Sequence, residues 1–204
     1  MGILSSSASI TRYLVQGQIE KPVMETVLAG LKKNTIRDID GETEKKAVGW
    51  TSFSKPFTPD FEGSSFVVGT YFIFSLRVDK KSLPSKVLRK LTQVEIARRL
   101  AETKREFLSR EEKQDAREHV ENMLARRIPA TPSIHDVVWS HEENSLWLFS
   151  TQKAAREELE TLFHKSFGVL LVPLYPYTAA ELTLGLTEDQ CNRLAALMPS
   201  AIVE

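Results

Sequence analysis

Residues 66–90 read FVVGTYFIFSLRVDKKSLPSKVLRK, and the change of character within them decides the fold. The first half, 66–78, is β-branched and aromatic, with Val67, Tyr71 and Phe74 inside an apolar run, and so predicts a strand. Gly69 marks a bulge in it. Asp79-Lys80-Lys81-Ser82 reads as a polar turn. From Leu83-Pro84-Ser85 the period changes. Val87, Leu88, Leu91, Val94, Leu100 and Phe107 recur at the spacing of a helical apolar stripe. Ser109 followed by Glu112 is a capping box. One helix therefore ends near Leu108 and a second begins at Arg110, with Ala116, Val120, Met123 and Leu124 on its apolar face. So short a link folds the pair into an antiparallel hairpin, which Pro129 and Pro132 terminate.

Working outward, residues 8–17 (ASITRYLVQG) read as a strand, with Ile10, Arg12 and Leu14 on one face and Tyr13 and Val15 on the other. Pro22 suits the first turn of a helix on which Val23, Val27, Leu28 and Leu31 recur, and Asn34 ends it. Residues 35–40 (TIRDID) alternate as a short strand up to Gly41. Residues 41–65 read as a long connection that Trp50 and Phe53 tuck onto the core. Downstream, 134–140 and 145–150 form a β-hairpin across His141-Glu142-Glu143-Asn144. Thr151 caps a helix over 152–166 with Ala155, Leu159, Leu162 and Phe163 inward. Residues 168–174 form a further strand, and a weak helix lies near 187–198. The expected fold class is α+β: mixed or antiparallel sheets with packed helices and a protruding two-helix hairpin. The expected division is 1–82, an N-terminal α+β half; 83–130, a basic helical hairpin; and 131–204, a C-terminal ββαβ half that packs with the first.

The 204 residues carry 27 basic and 27 acidic side chains, a net charge of zero. This excludes a protein that coats nucleic acid by charge over its whole surface. The regional balance is uneven. Residues 86–127 hold twelve basic and eight acidic residues, residues 128–204 hold four and ten, and residues 1–85 hold eleven and nine. Cys191 is the only cysteine, so neither an intrachain disulfide nor a cysteine zinc site forms within one chain. The start shows no secretory pattern, and Met1-Gly2 followed by Ser6 matches a myristoylation signal only loosely, with an ordinary start as the plainer reading. The longest apolar run, 66–76, is too short to span a bilayer as a helix. The expected location is the cytoplasm, with no membrane association.

Phosphate binding needs cations clustered on one surface, because each contact releases condensed counterions. Lys86, Arg89 and Lys90 fall within about one helical turn. Lys80 and Lys81 precede them, and the antiparallel hairpin returns Arg126 and Arg127 to the same end. With Arg98 on the first helix, these eight are the DNA-facing candidates. The competing reading is a set of solvated helix faces with i,i+4 ion pairs. No Gly-rich phosphate loop is present. Asp38, Asp40 and Glu42 could hold Mg²⁺ as a nuclease does, but their place beside Gly41 is that of a polar turn. His135-Asp136 and His141-Glu142 lack ligand spacing. Trp139 and Trp147 face each other across the hairpin and pack there rather than stack on bases. No catalytic site and no cofactor are expected.

Several stretches together resemble the bacterial recombination-associated RdgC family. They are ITRYL at 10–14, Gly49-Trp50, Lys81 through Leu88 with the charged hairpin after it, Val137-Val138-Trp139, Lys153-Ala154-Ala155, Val172-Pro173-Leu174 and Glu181 through Leu184. The resemblance implies a non-catalytic protein that binds double- and single-stranded DNA with little sequence preference, forms dimers that close a ring, and restrains the RecA recombinase. It also implies a basic inner wall and an acidic outside, onto which Lys80, Lys81, Lys86, Arg89, Lys90, Arg126 and Arg127 carry over as lining residues. The typical member continues well past the point where this sequence stops, at Glu204, so a horseshoe, a different dimer and a partner-completed ring are all open. The hairpin end of the typical member carries Phe residues where this sequence has Arg127-Ile128-Pro129-Ala130, which alters the expected tip contact. The reading that follows is a sequence-nonspecific DNA-binding homodimer of recombination or the nucleoid. The rival is a protein-interaction module on the same scaffold without DNA binding, and a nuclease comes third.

Overall fold

A computed structural model describes residues 2–63 and 65–197. Met1 of the loose myristoylation match and residue 198, the end expected for the last helix, lie outside the described residues, as does Glu204. The α+β class holds. The elements in chain order are β1 (Thr11–Gln16), α1 (Val23–Lys33), β2 (Lys46–Thr51), β3 (Val67–Val68), β4 (Tyr71–Lys80), α2 (Ser85–Thr103), α3 (Arg110–Arg127), β5 (Thr131–Ser140), β6 (Ser145–Leu148), α4 (Lys153–Phe167), β7 (Leu170–Pro173), α5 (Pro176–Thr183) and α6 (Glu188–Ala196). Hydrogen bonding orders the strands β2-β4-β5-β6-β1-β7, with β3 on β4. The chain divides into two compact units, and neither is contiguous: residues 1–33, 61–74 and 135–204 form the first, 34–60 and 75–134 the second.

In the first unit β1 lies between β6 and β7, antiparallel to both. Its alternation buries Thr11, Tyr13 and Val15 and leaves Arg12 and Gln16 exposed, as the pattern of the strand requires. Trp139 of β5 sits at the centre of the core, its ring 4.9 Å from Phe163, 5.3 Å from Phe167 and 5.4 Å from Phe72. Val27 and Leu31 of α1 and Ala155, Leu159, Leu162 and Phe163 of α4 close that core from the helical side. Trp147 is not opposite Trp139. The register pairs Val138 with Trp147 and Trp139 with Leu146, so the pleat sends one indole inward and leaves the other 37% exposed. Gly69, at φ +61°, turns the chain between β3 and β4, where Val68 pairs with Tyr71. It makes a hairpin, not a bulge.

In the second unit the expected 41–65 connection contains a strand. β2 runs antiparallel to the second half of β4, from Lys46 opposite Lys80 to Thr51 opposite Ser75, with Trp50 fully buried. The expected strand at 35–40 is absent. Ile36 and Ile39 both turn into the core, and the Asp38 carboxylate accepts the Asp40 amide at 2.8 Å. That local bond takes the backbone out of ladder geometry. Only Thr35 bridges to Trp50. Gly49 permits the crossing, because a Cβ there would lie 2.4 Å from the backbone of Ile36.

The helical hairpin forms as its capping box predicts. The Ser109 side chain accepts from the Glu112 amide, and the Glu112 carboxylate accepts from the Ser109 amide. α3 buries Ala116, Val120, Leu124 and Ala125. α2 stops at Thr103, short of the expected Leu108, with Lys104 in the left-handed region. Leu88, Leu91 and Leu100 of its stripe are half-buried, while Val87, Val94 and Phe107 remain exposed. Two other boundaries move. β4 takes in the first two residues of the expected polar turn, ending at Lys80, and β5 begins at Thr131 with Pro132 inside it. α4 has Gln152, not Thr151, at its N-cap.

Candidate nucleic-acid interface

The root of the hairpin is organised by a lysine. After β4 the alternation carries Asp79 and Lys81 inward, and Lys81 is only 4% exposed. Its ammonium donates to the carbonyl oxygens of Ile39 at 2.6 Å, Ala125 at 2.7 Å and Glu42 at 2.9 Å. Three protons meet three acceptors, so the charge is fully used. Ala125 lies in the last turn of α3, whose carbonyls have no partner within the helix. Lys81 therefore caps α3 and ties it to the 39–42 turn. The Asp40 carboxylate adds a second tie by accepting the Ala130 amide at 2.8 Å. A third runs from Lys45 to Glu121, whose carboxyl is held below its ordinary range first by that lysine and then by Arg117. Lys81 is thus withdrawn from the DNA-facing candidates: it holds the surface in place and is not part of it.

The remaining candidates divide. Lys80, Lys86, Arg89, Lys90, Arg126 and Arg127 are exposed, and none forms an ion pair with another described residue. Arg98 is exposed too, but it bonds Glu95 at 2.8 Å and Glu102 at 2.7 Å. It fits the solvated, ion-paired face that the competing reading describes. Arg126 and Arg127 line a groove of about 500 Å³ with His119, Asn122, Met123 and Thr43. Arg89 lines a different groove with Ser85, Leu88, Thr92, Gln93 and Arg117. Lys80 lies opposite Lys46 on β2.

Sequence reasoning missed His119 and Asn122, although His119, Asn122 and Arg126 follow one another at the three-to-four spacing of one helix face, a usable signal. It missed Lys46 for want of β2. Two of the acidic trio are occupied with backbone: the Asp38 carboxylate accepts from the Asp40 amide and the Asp40 carboxylate from the Ala130 amide. Among the described residues no group of three or more His, Cys, Asp or Glu could hold a metal ion, and no helix is long and apolar enough to cross a membrane.

What the fold defines is an α+β scaffold that displays a charged two-helix hairpin, with cations at its root that are unpaired among the described residues. A scan against protein-family models matches residues 9–189 to the family described as "Putative exonuclease, RdgC". The chain belongs to the RdgC family, and membership supports a recombination-associated, nucleic-acid-related protein. A search of curated proteins returned no match.

Proposed function

We propose that this chain is a sequence-nonspecific DNA-binding protein that takes double- and single-stranded DNA, acts in recombination or nucleoid maintenance in the cytoplasm as a homodimer, and restrains RecA without catalysing a reaction. The observation that carries the DNA-binding reading is the set of six exposed cations, Lys80, Lys86, Arg89, Lys90, Arg126 and Arg127, free of ion pairs among the described residues. Cations already paired to carboxylates have little left for phosphate, whereas unpaired ones displace condensed counterions at once. Such contacts position a duplex and carry no base readout.

A mobility-shift titration over a salt series tests this. If all six cations contact phosphate, log K against log salt falls with a slope of about −5. Changing Lys86, Arg89 and Lys90 together to Glu abolishes binding. Absence of binding to either duplex or single strand at low salt overturns the reading. The exonuclease of the family's description has its own assay: Mg²⁺-dependent degradation of DNA, lost in Asp38→Asn or Asp40→Asn.

One observation favours the rival, a protein-interaction module without DNA binding. Val87 and Val94 of α2 and Phe107 of the link after it leave apolar surface of the hairpin exposed. Mass measurement with and without DNA separates the two: a species that grows only with DNA supports the first reading.

A further inference from the structure

Phe57 stands in the loop between β2 and β3 with 64% of its surface exposed. A single exposed aromatic is ordinary. The construction beneath this one is not. The Arg77 guanidinium lies 5.6 Å from the centroid of the Phe57 ring, within cation–π range. That guanidinium is itself immobilised. Its Nε and Nη2 donate to the two carboxylate oxygens of the buried Asp79 at 2.7 and 2.6 Å, and its Nη1 donates to the Pro56 carbonyl at 3.3 Å. The loop is pinned as well. Thr51 Oγ1 donates to Pro56 O, the Lys55 amide donates to Ser52 Oγ, and Lys55 pairs with Asp60. A buried ion pair is a poor way to gain stability alone. Here it fixes the cation that supports an outward-facing ring.

A groove opens beside that ring, lined by Ile36, Arg37, Asp38, Phe57, Pro59 and Arg77. Arg37 is exposed at its rim, engaged only by Glu44 at 3.3 Å among the described carboxylates. Asp38 turns its carboxylate to the Asp40 amide. A rigid aromatic loses little conformational entropy when it is covered, and a flat, polarisable ligand with an anion nearby is what such a ring beside an arginine recognises. A duplex keeps its base faces stacked within itself, but a single strand does not. We propose that Phe57 is a stacking seat for an unpaired base of single-stranded DNA, with Arg37 beside it to take a neighbouring phosphate. This rests on the DNA-binding reading and adds a site outside the six cations.

Fluorescence anisotropy with labelled oligo-dT and with a duplex, on the full chain, tests it. Phe57→Ala weakens oligo-dT binding about tenfold and leaves duplex affinity unchanged, and Phe57→Trp restores the first. If Phe57→Ala leaves oligo-dT affinity unchanged, or weakens duplex equally, the stacking seat is overturned while DNA binding stands. If the unaltered chain binds duplex but not oligo-dT, the seat alone fails. If it binds neither, both readings fail.

Discussion

Lys81 shows how a residue's role is set by atoms far along the chain. Its three acceptors lie about forty residues away on either side, at Ile39, Glu42 and Ala125. In the sequence, Asp79-Lys80-Lys81-Ser82 has the composition of a solvated turn, and nothing local reveals that three carbonyls converge on one of its two lysines. Lys80, its neighbour, stays exposed as expected because the strand alternation sends it the other way. Replacing Lys81 by Met keeps an unbranched side chain one atom shorter and leaves the carbonyls without a donor. Lys81→Met is expected to cost about 3 kcal/mol, and so to lower the melting temperature by about 6–12 °C. An unchanged thermal melt would show that the three bonds add nothing net. Gly49 was just as opaque: its need for a missing Cβ comes from the backbone of Ile36, a contact made only after β2 and the preceding segment have met.

At the scale of elements, the hairpin was the most legible part, because its signals are local. The capping box fixed the start of α3, and the three-to-four spacing fixed its buried face. The end of α2 was not legible. It rests on Lys104 adopting a left-handed conformation that a glycine usually supplies, so the sequence carries no stop signal there. Phe107 then falls outside the helix and outside the stripe. The two helices are also tied electrostatically. Glu95 bonds Arg98 and Arg99, and Arg99 reaches across to the Glu112 carbonyl. Hydrogen bonds from Arg98 and then Arg99 hold the Glu95 carboxyl at about 2, against an ordinary 4.5. A carboxyl with a depressed value stabilises the fold above its unfolded value and loses that contribution as the pH falls toward its folded one. Glu95→Gln therefore destabilises the protein at neutral pH, and the gap from the unaltered chain closes between pH 4.5 and pH 2. Urea melts across that range check it, and a gap that persists at pH 2 would mean that the carboxylate charge is not the cause.

At the scale of the whole molecule, the net charge of zero conceals a partition that follows the compact units. The unit formed by 34–60 and 75–134 holds nineteen basic and fourteen acidic residues, and the other holds eight and thirteen. A linear division of the sequence already exposed most of this imbalance, because the hairpin falls wholly within the basic unit. The interleaving of the units was hidden. β4 and β5 each pass from one to the other, which no composition shift announces. A phosphate contact is local, so the salt dependence of DNA binding counts contacted phosphates and not net charge. Changing Glu142 and Glu143 together to Gln raises the net charge by two without adding a root cation. The expected outcome is an unchanged slope of log K against log salt. A steeper slope would place those positions in the interface.

The ammonium buried at the hairpin root has one further consequence. Carbonyl oxygens gathered around a positive charge are how proteins hold a metal ion, and such an ion exchanges with the medium. Here the ion is tethered to the chain and shut away from the electrolyte. On the proposed DNA-binding reading, raising the salt strips phosphates from the cations outside, yet this inner charge has no counterion to lose. The platform thus keeps its shape under the same conditions that empty it.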